Sequence, residues 1–299
     1  MPLVTFKDLM SEAKRGNYAV GYFESWNLES LRAVADAAEA LRAPVLLGFS
    51  GIYLHHPRRR VQEPLSVYAA LGNETCRRLK TPACLVFNES PHFERVLEAI
   101  DLRFGLVMFS DPSLDSNDQA ERIRQIVAKA HRAGVAVEGE MTSLPGMDGQ
   151  LARLPETMDL TDPREAERFV EQTGVDALAV NVGQAHLHGR TEVRLDLSRL
   201  TSLKQSVPVP LVLHGASSIA REDLQAAIRL GVRKINVGSA MKSCYLEALR
   251  SSLHRLDGGY NPYEVIGSGL DEDVLTQARV ALQGVVEDLM RLFGSAGKG

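Results

Sequence analysis

Five places in this chain bring chemically able side chains directly behind a short apolar run. They are Phe49-Ser50, Phe87-Asn88-Glu89, the segment after Val180 that carries His186, Leu213-His214-Gly215, and Asn236-Val237-Gly238-Ser239. Imidazole and carboxylate groups bind cations and move protons. Backbone N–H groups, small hydroxyls and glycines hold anions. Any one of the five reads equally well as an ordinary turn, since Gly, Ser and Asn are turn residues. Their coincidence asks what architecture would bring them together.

The apolar runs are Ala19–Phe23, Val45–Phe49, Ala83–Phe87, Leu106–Phe109, Ala136–Glu140, Ala177–Val180, Pro210–Leu213 and Lys234–Val237. They lack polar alternation, which fits parallel strands buried on both faces. Helical patterns separate them, at Leu28–Leu41, Pro64–Leu79, Phe93–Asp101, Asp118–Ala133, Pro163–Thr173, Leu197–Ser206, Arg221–Leu230 and Ser239–Leu253. Gly105, Gly134, Gly174 and Gly231 stand where left-handed helix caps are expected. Eight strand–helix units predict an α/β fold, a (β/α)8 TIM barrel, with extra C-terminal helices over residues 270–293. One domain is expected over residues 1–299, since no linker or compositional break divides the chain. No GxGxxG follows the first strand, so a dinucleotide-binding sheet is disfavoured. In such a barrel the active groups lie where strands end, which is where the five clusters fall.

The 299 residues carry 44% hydrophobic and 24% charged side chains, enough for a substantial core. A net charge of −4 gives no overall attraction to nucleic acid or to an anionic membrane, and neither is expected as a partner. Cys76, Cys84 and Cys244 form no CxxC pair, which suits a reducing compartment. The first 16 residues lack the apolar core of a secretory signal, and no stretch approaches a membrane span. A soluble, cytoplasmic protein is expected.

The segment Pro208-Val-Pro-Leu-Val-Leu-His-Gly-Ala-Ser217, followed by Gly231-Val-Arg-Lys-Ile-Asn-Val-Gly238, resembles the signature of the class II, metal-dependent fructose- and tagatose-bisphosphate aldolases. Further matches are Tyr18-Ala-Val-Gly-Tyr-Phe23 with Asn27, then Ser50, Gln184-Ala-His186 and Gly294-Ser-Ala-Gly-Lys298. The likeness spans essentially the whole chain. It implies a divalent metal, usually zinc, held by three histidines, two of which map onto His186 and His214. Such a metal keeps one coordination position open for the substrate. It also implies a phosphate site at Gly215, Ala216, Ser217, Asn236, Val237, Gly238 and Ser239, with Ser50 a further substrate contact. The substrate would contain a dihydroxyacetone phosphate-like moiety, a monovalent cation could accompany it, and the protein would be a homodimer or homotetramer.

One corner departs from that pattern. The family's catalytic acid and third ligand lie side by side as Asp-His, and here the pair is Asn88-Glu89. Asn88 has no titratable proton to give. Glu89 remains a metal donor, and two His with one Glu form an established catalytic zinc shell. Either pair carries about −1 at neutral pH, so the carboxylate has moved one residue along, from the acid position to the ligand position. A set of Glu89, His186 and His214 is therefore expected, with a weaker Lewis acid than three imidazoles provide. Asp148, in Thr142-Ser-Leu-Pro-Gly-Met-Asp-Gly149, is the nearest counterpart of the family's base, and is equally a turn residue. Glu138 and Glu140 close the fifth strand, with at most one of the two expected to point inward. Leu187 replaces a family glycine and is expected to crowd the phosphate or a monovalent-ion site. Ala240 stands where relatives are commonly acidic. His92 and His188 are unusual here, but read first as a helix-start residue and a loop residue. His55, His56 and Arg58-Arg-Arg60 read as a solvated basic loop.

The resulting expectation is a carbon–carbon lyase acting on a phosphorylated ketose through a metal-stabilised enediolate, and a poor fructose 1,6-bisphosphate aldolase. The alternatives are an enediolate-forming isomerase or epimerase, and a catalytically silent sugar-phosphate-binding homologue.

Overall fold

The computed structural model describes residues 3–141, 143–146, 151, 153–187, 192–256 and 258–299. Its strands are β1 (Val20–Glu24), β2 (Val45–Ser50), β3 (Ala83–Ser90), β4 (Leu106–Phe109), β5 (Ala136–Glu140), β6 (Ala177–Ala179), β7 (Leu211–Leu213) and β8 (Val232–Val237). All pair in parallel with their sequence neighbours, and β8 pairs with β1 to close the barrel. This is the (β/α)8 TIM barrel expected from the spacing of the apolar runs.

The first half of the chain supplies helices α1 (Phe6–Gly16), α2 (Leu28–Leu41), α3 (Gly51–Leu54), α4 (Leu65–Arg78), α5 (Phe93–Asp101) and α6 (Ser116–Arg132). The second half supplies α7 (Pro163–Thr173), α8 (Leu197–Ser206), α9 (Arg221–Arg229), α10 (Ser239–His254), α11 (Pro262–Val265) and α12 (Val274–Leu292). Between β7 and α9 lies a 3₁₀ turn, Ala216–Ser218.

Side chains on a strand alternate between its two faces, which sorts the core into two layers. Phe23, Leu47, Phe49, Leu85, Phe87, Val107, Phe109, Val137, Leu178, Leu213 and Ile235 join the layer shared with the helices. Val20, Tyr22, Leu46, Cys84, Val86, Leu106, Ala177, Ala179 and Val212 form a separate cluster inside the barrel. Phe6, Leu9, Met10 and Ala13 of α1 belong to that inner cluster and plug the barrel's N-terminal end. The sequence reading assigned no element to α1, although Thr5 and Asp8 cap it reciprocally.

At the other end of the chain, α12 packs against both α2 and α10. Arg279 of α12 pairs with Asp36 of α2, and Phe293 stacks on Phe23 with centroids 6.3 Å apart. The predicted tail thus joins the outer ring and is no loose appendage. Among the predicted caps, Gly134, Gly174 and Gly231 have positive φ, whereas Gly105 does not. Arg103 takes the left-handed position there, at φ 65°. Gly105 serves packing instead, since an added Cβ would lie 2.6 Å from the Cys84 sulfur. No described helix is long and apolar enough to cross a membrane.

Candidate active site

The inward phase of the strands turns from apolar to ionic towards their C-terminal ends. Glu24, Asn88, Glu138, Glu140, His214 and Asn236 occupy those upper positions, and all are buried. Residues i and i+2 of a strand share a face, so Glu138 and Glu140 both point inward, against the expectation that at most one would.

His214 anchors the site. Its Nδ1 lies 2.9 Å from Glu89 Oε1, and its Nε2 lies 2.7 Å from Glu138 Oε1. The other oxygen of Glu138 pairs with Lys234 Nζ at 2.7 Å, and both side chains are fully buried. Lys234 also donates to Asn236 Oδ1 at 2.5 Å, and its ammonium lies 5.1 Å from the centroid of the Tyr22 ring. Asn88 donates to Glu89 Oε2 at 2.7 Å, and Asn236 reaches back to Asn88 Oδ1 at 3.3 Å. The result is a chain of alternating charge, Lys234–Glu138–His214–Glu89, whose members neutralise one another when His214 is protonated.

This alternation explains the titration of its members. Burial disfavours an imidazolium, but the carboxylates of Glu89 and Glu138 outweigh that and push His214 up to about 10. Burial likewise opposes ionisation of Glu89, and His214, His186 and Lys234 together hold it down at about 2. Glu138 is held low by Lys234 and His214 despite its burial. Glu140 goes the other way. Burial raises it and nearby Glu89 adds to the rise, while Ser110 and Ser143 donate hydrogen bonds to it.

Glu89 owes its position to an irregular backbone. The β3–β4 register shifts between Phe87 and Ser90, and Glu89 itself has φ 46°, in the left-handed region. A non-glycine residue there costs about 1–2 kcal/mol, and such conformations gather where function requires them. The bulge presents Asn88 and Glu89 to the same cavity.

That cavity opens at the C-terminal ends of the strands. Eleven of the residues singled out from sequence line it: Asn88, Glu89, His186, His214, Gly215, Ala216, Ser217, Asn236, Val237, Gly238 and Ser239. Gly215 adopts φ 68° and leads into the 3₁₀ turn, while α10 begins at Ser239 without a side-chain cap from Gly238. Ser217 Oγ instead accepts from the Ala240 N–H at 3.1 Å, binding the two small-residue turns together. Not every residue proposed for the site lines it. Ser50 is buried at the end of β2, opposite Asn88 in register, and does not line the cavity. Asp148 falls outside the described residues, as does His188.

Several further expectations meet the structure here. Leu187 turns into the helix-facing core and so does not line the cavity it was expected to crowd. His92 packs edge-on against His55 with centroids 6.0 Å apart, away from Glu89's cavity. Arg59 is engaged by Glu63, Tyr68 and two carbonyls, which accounts for part of the basic loop.

Sequence reasoning missed Tyr22, Glu24, Ile52, Tyr53 and Lys242, all of which line the cavity. It also missed Lys234. Signals existed for three of them. Glu24 continues the inward phase of Val20 and Tyr22, one residue past the predicted strand end. Lys234 breaks an apolar strand on its inward phase. Lys242 lies in the first turn of α10, where a cation opposes the helix dipole. Lys242 Nζ pairs with Glu24 Oε1 at 2.5 Å and stands 3.6 Å from the centroid of Tyr53.

Comparison with known proteins places the chain in a family. Residues 4–298 match the family model described as fructose-bisphosphate aldolase class II. A fructose-bisphosphate aldolase of Geobacillus stearothermophilus is 33% identical over 298 residues, covering 100% of this chain and 99% of that protein. The crystal structure of the YdjI aldolase from Escherichia coli K12 superposes with a TM-score of 0.79 at 25% identity, over 99% of each chain. A Coccidioides immitis structure, provisionally named a fructose-1,6-biphosphate aldolase, gives 0.81 at 26% identity, over 98% of this chain and 97% of that one. The barrel, the loaded strand ends and these matches agree: the chain belongs to the class II fructose-bisphosphate aldolase family.

Proposed function

We propose that this protein is a metal-dependent carbon–carbon lyase of aldolase type that acts on a phosphorylated ketose. The observation that carries the reading is the meeting of Glu89, His186 and His214 in one cavity bordered by the two small-residue turns.

The donor set suits a divalent cation, with zinc the best match to two imidazoles and a carboxylate. His214 has the support expected of a ligand, because a carboxylate, Glu138, fixes its far nitrogen while the near one faces Glu89. Among the described residues no three such side chains stand close enough together, as they are now placed, to hold a metal ion. Glu89 and His214 instead hold one another, so a cation would replace the proton between them. Glu89, His186 and His214 would hold the metal, which supplies Lewis acidity towards the substrate carbonyl.

The chain's own residues do the rest. The turns at Gly215–Ser217 and Asn236–Ser239 would bind the phosphate through backbone N–H groups and hydroxyls. Asn236 and Asn88 would orient the oxygens of the dihydroxyacetone phosphate-like half. Asp148 remains the candidate base for the carbon-bound proton. Asn88 orients but cannot protonate, so cleavage of fructose 1,6-bisphosphate is expected to be weak. Exposed Leu246 and Leu253 on α10, with Tyr260 and Tyr263 beyond it, support a homodimer or homotetramer contact through this end of the chain.

Metal analysis of the native protein, combined with solvent-deuterium exchange into dihydroxyacetone phosphate, tests the proposal. Stoichiometric metal and exchange in the wild type, both lost in Glu89→Ala, support it. Exchange with no carbon–carbon cleavage on any ketose phosphate would favour an isomerase or epimerase. Binding without metal or exchange would mark a silent sugar-phosphate-binding homologue.

A further inference from the structure

The aldolase reading leaves a gap that Asn88 cannot fill. Breaking the carbon–carbon bond of a ketose phosphate removes a proton from the hydroxyl on the departing carbon, and the reverse reaction returns it. A side chain that does this must be titratable, must face the cavity, and must be held so that it meets the substrate. Glu140 is inward but bound by Ser110 and Ser143, and Glu138 is committed to His214 and Lys234. Neither lines the cavity.

Glu24 does. It ends β1, faces inward, and is 9% exposed. Both its oxygens have definite surroundings. Oε1 pairs with Lys242 at 2.5 Å, and Oε2 lies so close to Gly238 that an added Cβ there would come within 2.6 Å of it. The carboxylate therefore stands at the N-terminus of α10, on the cavity wall shared with Asn236 and Gly238. Lys242 is fixed in turn by the Tyr53 ring at 3.6 Å and by Trp26 at 5.8 Å. Burial raises the Glu24 carboxyl, Lys242 opposes the rise, and Glu89 adds to it.

We infer that Glu24 is the catalytic residue that exchanges the hydroxyl proton at the carbon–carbon bond, with Lys242 steadying the oxygen that gains charge. The inference rests on the aldolase reading above. In cleavage, a Glu24 oxygen takes the O–H proton and the oxygen's electron pair becomes the new carbonyl bond. As that bond forms the carbon–carbon bond breaks, and its pair passes into the enediolate of the other half. In addition, the same proton returns from Glu24 to the alkoxide. No oxidant or further reactant is needed.

The test uses the metal-loaded full chain, Glu24→Gln and Glu24→Asp variants, and two readouts. One is deuterium exchange into dihydroxyacetone phosphate, which needs no proton at the departing carbon. The other is addition of dihydroxyacetone phosphate to a panel of two- to four-carbon aldehydes. Glu24→Gln is expected to keep exchange within about threefold and to lose addition by about a hundredfold or more, the usual scale of a proton-transfer group. Glu24→Asp should recover part of the addition. Wild-type addition rates in Glu24→Gln overturn the inference and leave the aldolase reading standing. So does a parallel fall of both readouts with melting temperature in both variants, which would make Glu24–Lys242 a structural ion pair. A wild type that exchanges but adds to no aldehyde also overturns it. A wild type without exchange removes the aldolase reading, and the inference falls with it.

Discussion

The two halves of the barrel interior are built on opposite principles. The lower half holds Val20, Leu46, Cys84, Val86, Leu106, Ala177 and Val212, closed off by α1. The upper half holds Glu24, Asn88, Glu138, His214 and Asn236, all within one barrel and all buried. Lys234 bridges the two, since its backbone pairs with Val20 while its ammonium reaches Glu138 and Asn236. Apolar burial stabilises the fold at about 25 cal/mol per Å² of surface removed from water, while buried ion pairs return little net stability. The lower half therefore supports the fold, and the upper half is the part that the proposed chemistry would use.

That contrast is open to attack at several points. The largest effect is expected at Glu89→Ala, which should lower turnover at least about a thousandfold, or ~4 kcal/mol of transition-state stabilisation. A steady-state assay with metal content measured alongside would check it, and retained turnover would mean the upper half is not the reactive one. Lys234→Met should leave Glu138 Oε2 buried without its ammonium, with only Oε1 still held by His214, costing about 3–5 kcal/mol in denaturant melts. Replacing Glu138 by Gln in the same chain should recover much of that loss. Leu46→Ala should cost about 2–5 kcal/mol by opening a cavity, with turnover of the folded fraction unchanged. A large fall in turnover there would break the division between the halves.

The metal-free protein should also lose stability at both pH extremes through the ionic cluster around His214 and Glu89. His214 is raised from 6.5 to about 10, so its contribution is whole below pH 6.5 and is lost as pH climbs through 10. Glu89 is lowered from 4.5 to about 2, so its contribution is present above pH 4.5 and is lost as pH falls through 2. Melting temperatures of chelated protein across that range, against Glu89→Gln, should show a flatter curve for the variant. The smallest effect is expected at Thr5→Ala. Loss of the α1 cap should cost about 1 kcal/mol with catalysis untouched.

The same contrast governs what could be read before folding. Strand order and the barrel followed from continuous apolar runs, and four of the predicted helices match to the residue: Leu28–Leu41, Phe93–Asp101, Pro163–Thr173 and Leu197–Ser206. The metal and phosphate candidates were legible because each sits in a local string such as Leu213-His214-Gly215. Glu24 and Lys242 were not, because they lie 218 residues apart and acquire meaning only as partners. The pairing of Glu138 with Lys234 was hidden for the same reason, since a charge inside an apolar strand announces a partner without naming it. Helix α1 was overlooked because its apolar face, Phe6, Leu9, Met10 and Ala13, is set among charges that look like a solvated end. Its role as a plug depends on the barrel it fills.

The left-handed backbone at position 89 has a bearing on how this corner can change. Histidine, asparagine and aspartate enter that conformation several-fold more readily than most residues, whereas β-branched side chains are strongly disfavoured. Exchanging the glutamate for the histidine that the family resemblance implies at this position would thus meet little resistance from the main chain. One codon there could alter the net charge beside His214 by a full unit while the bulge stays in place. Position 89 is an electrostatic dial set into a fixed frame.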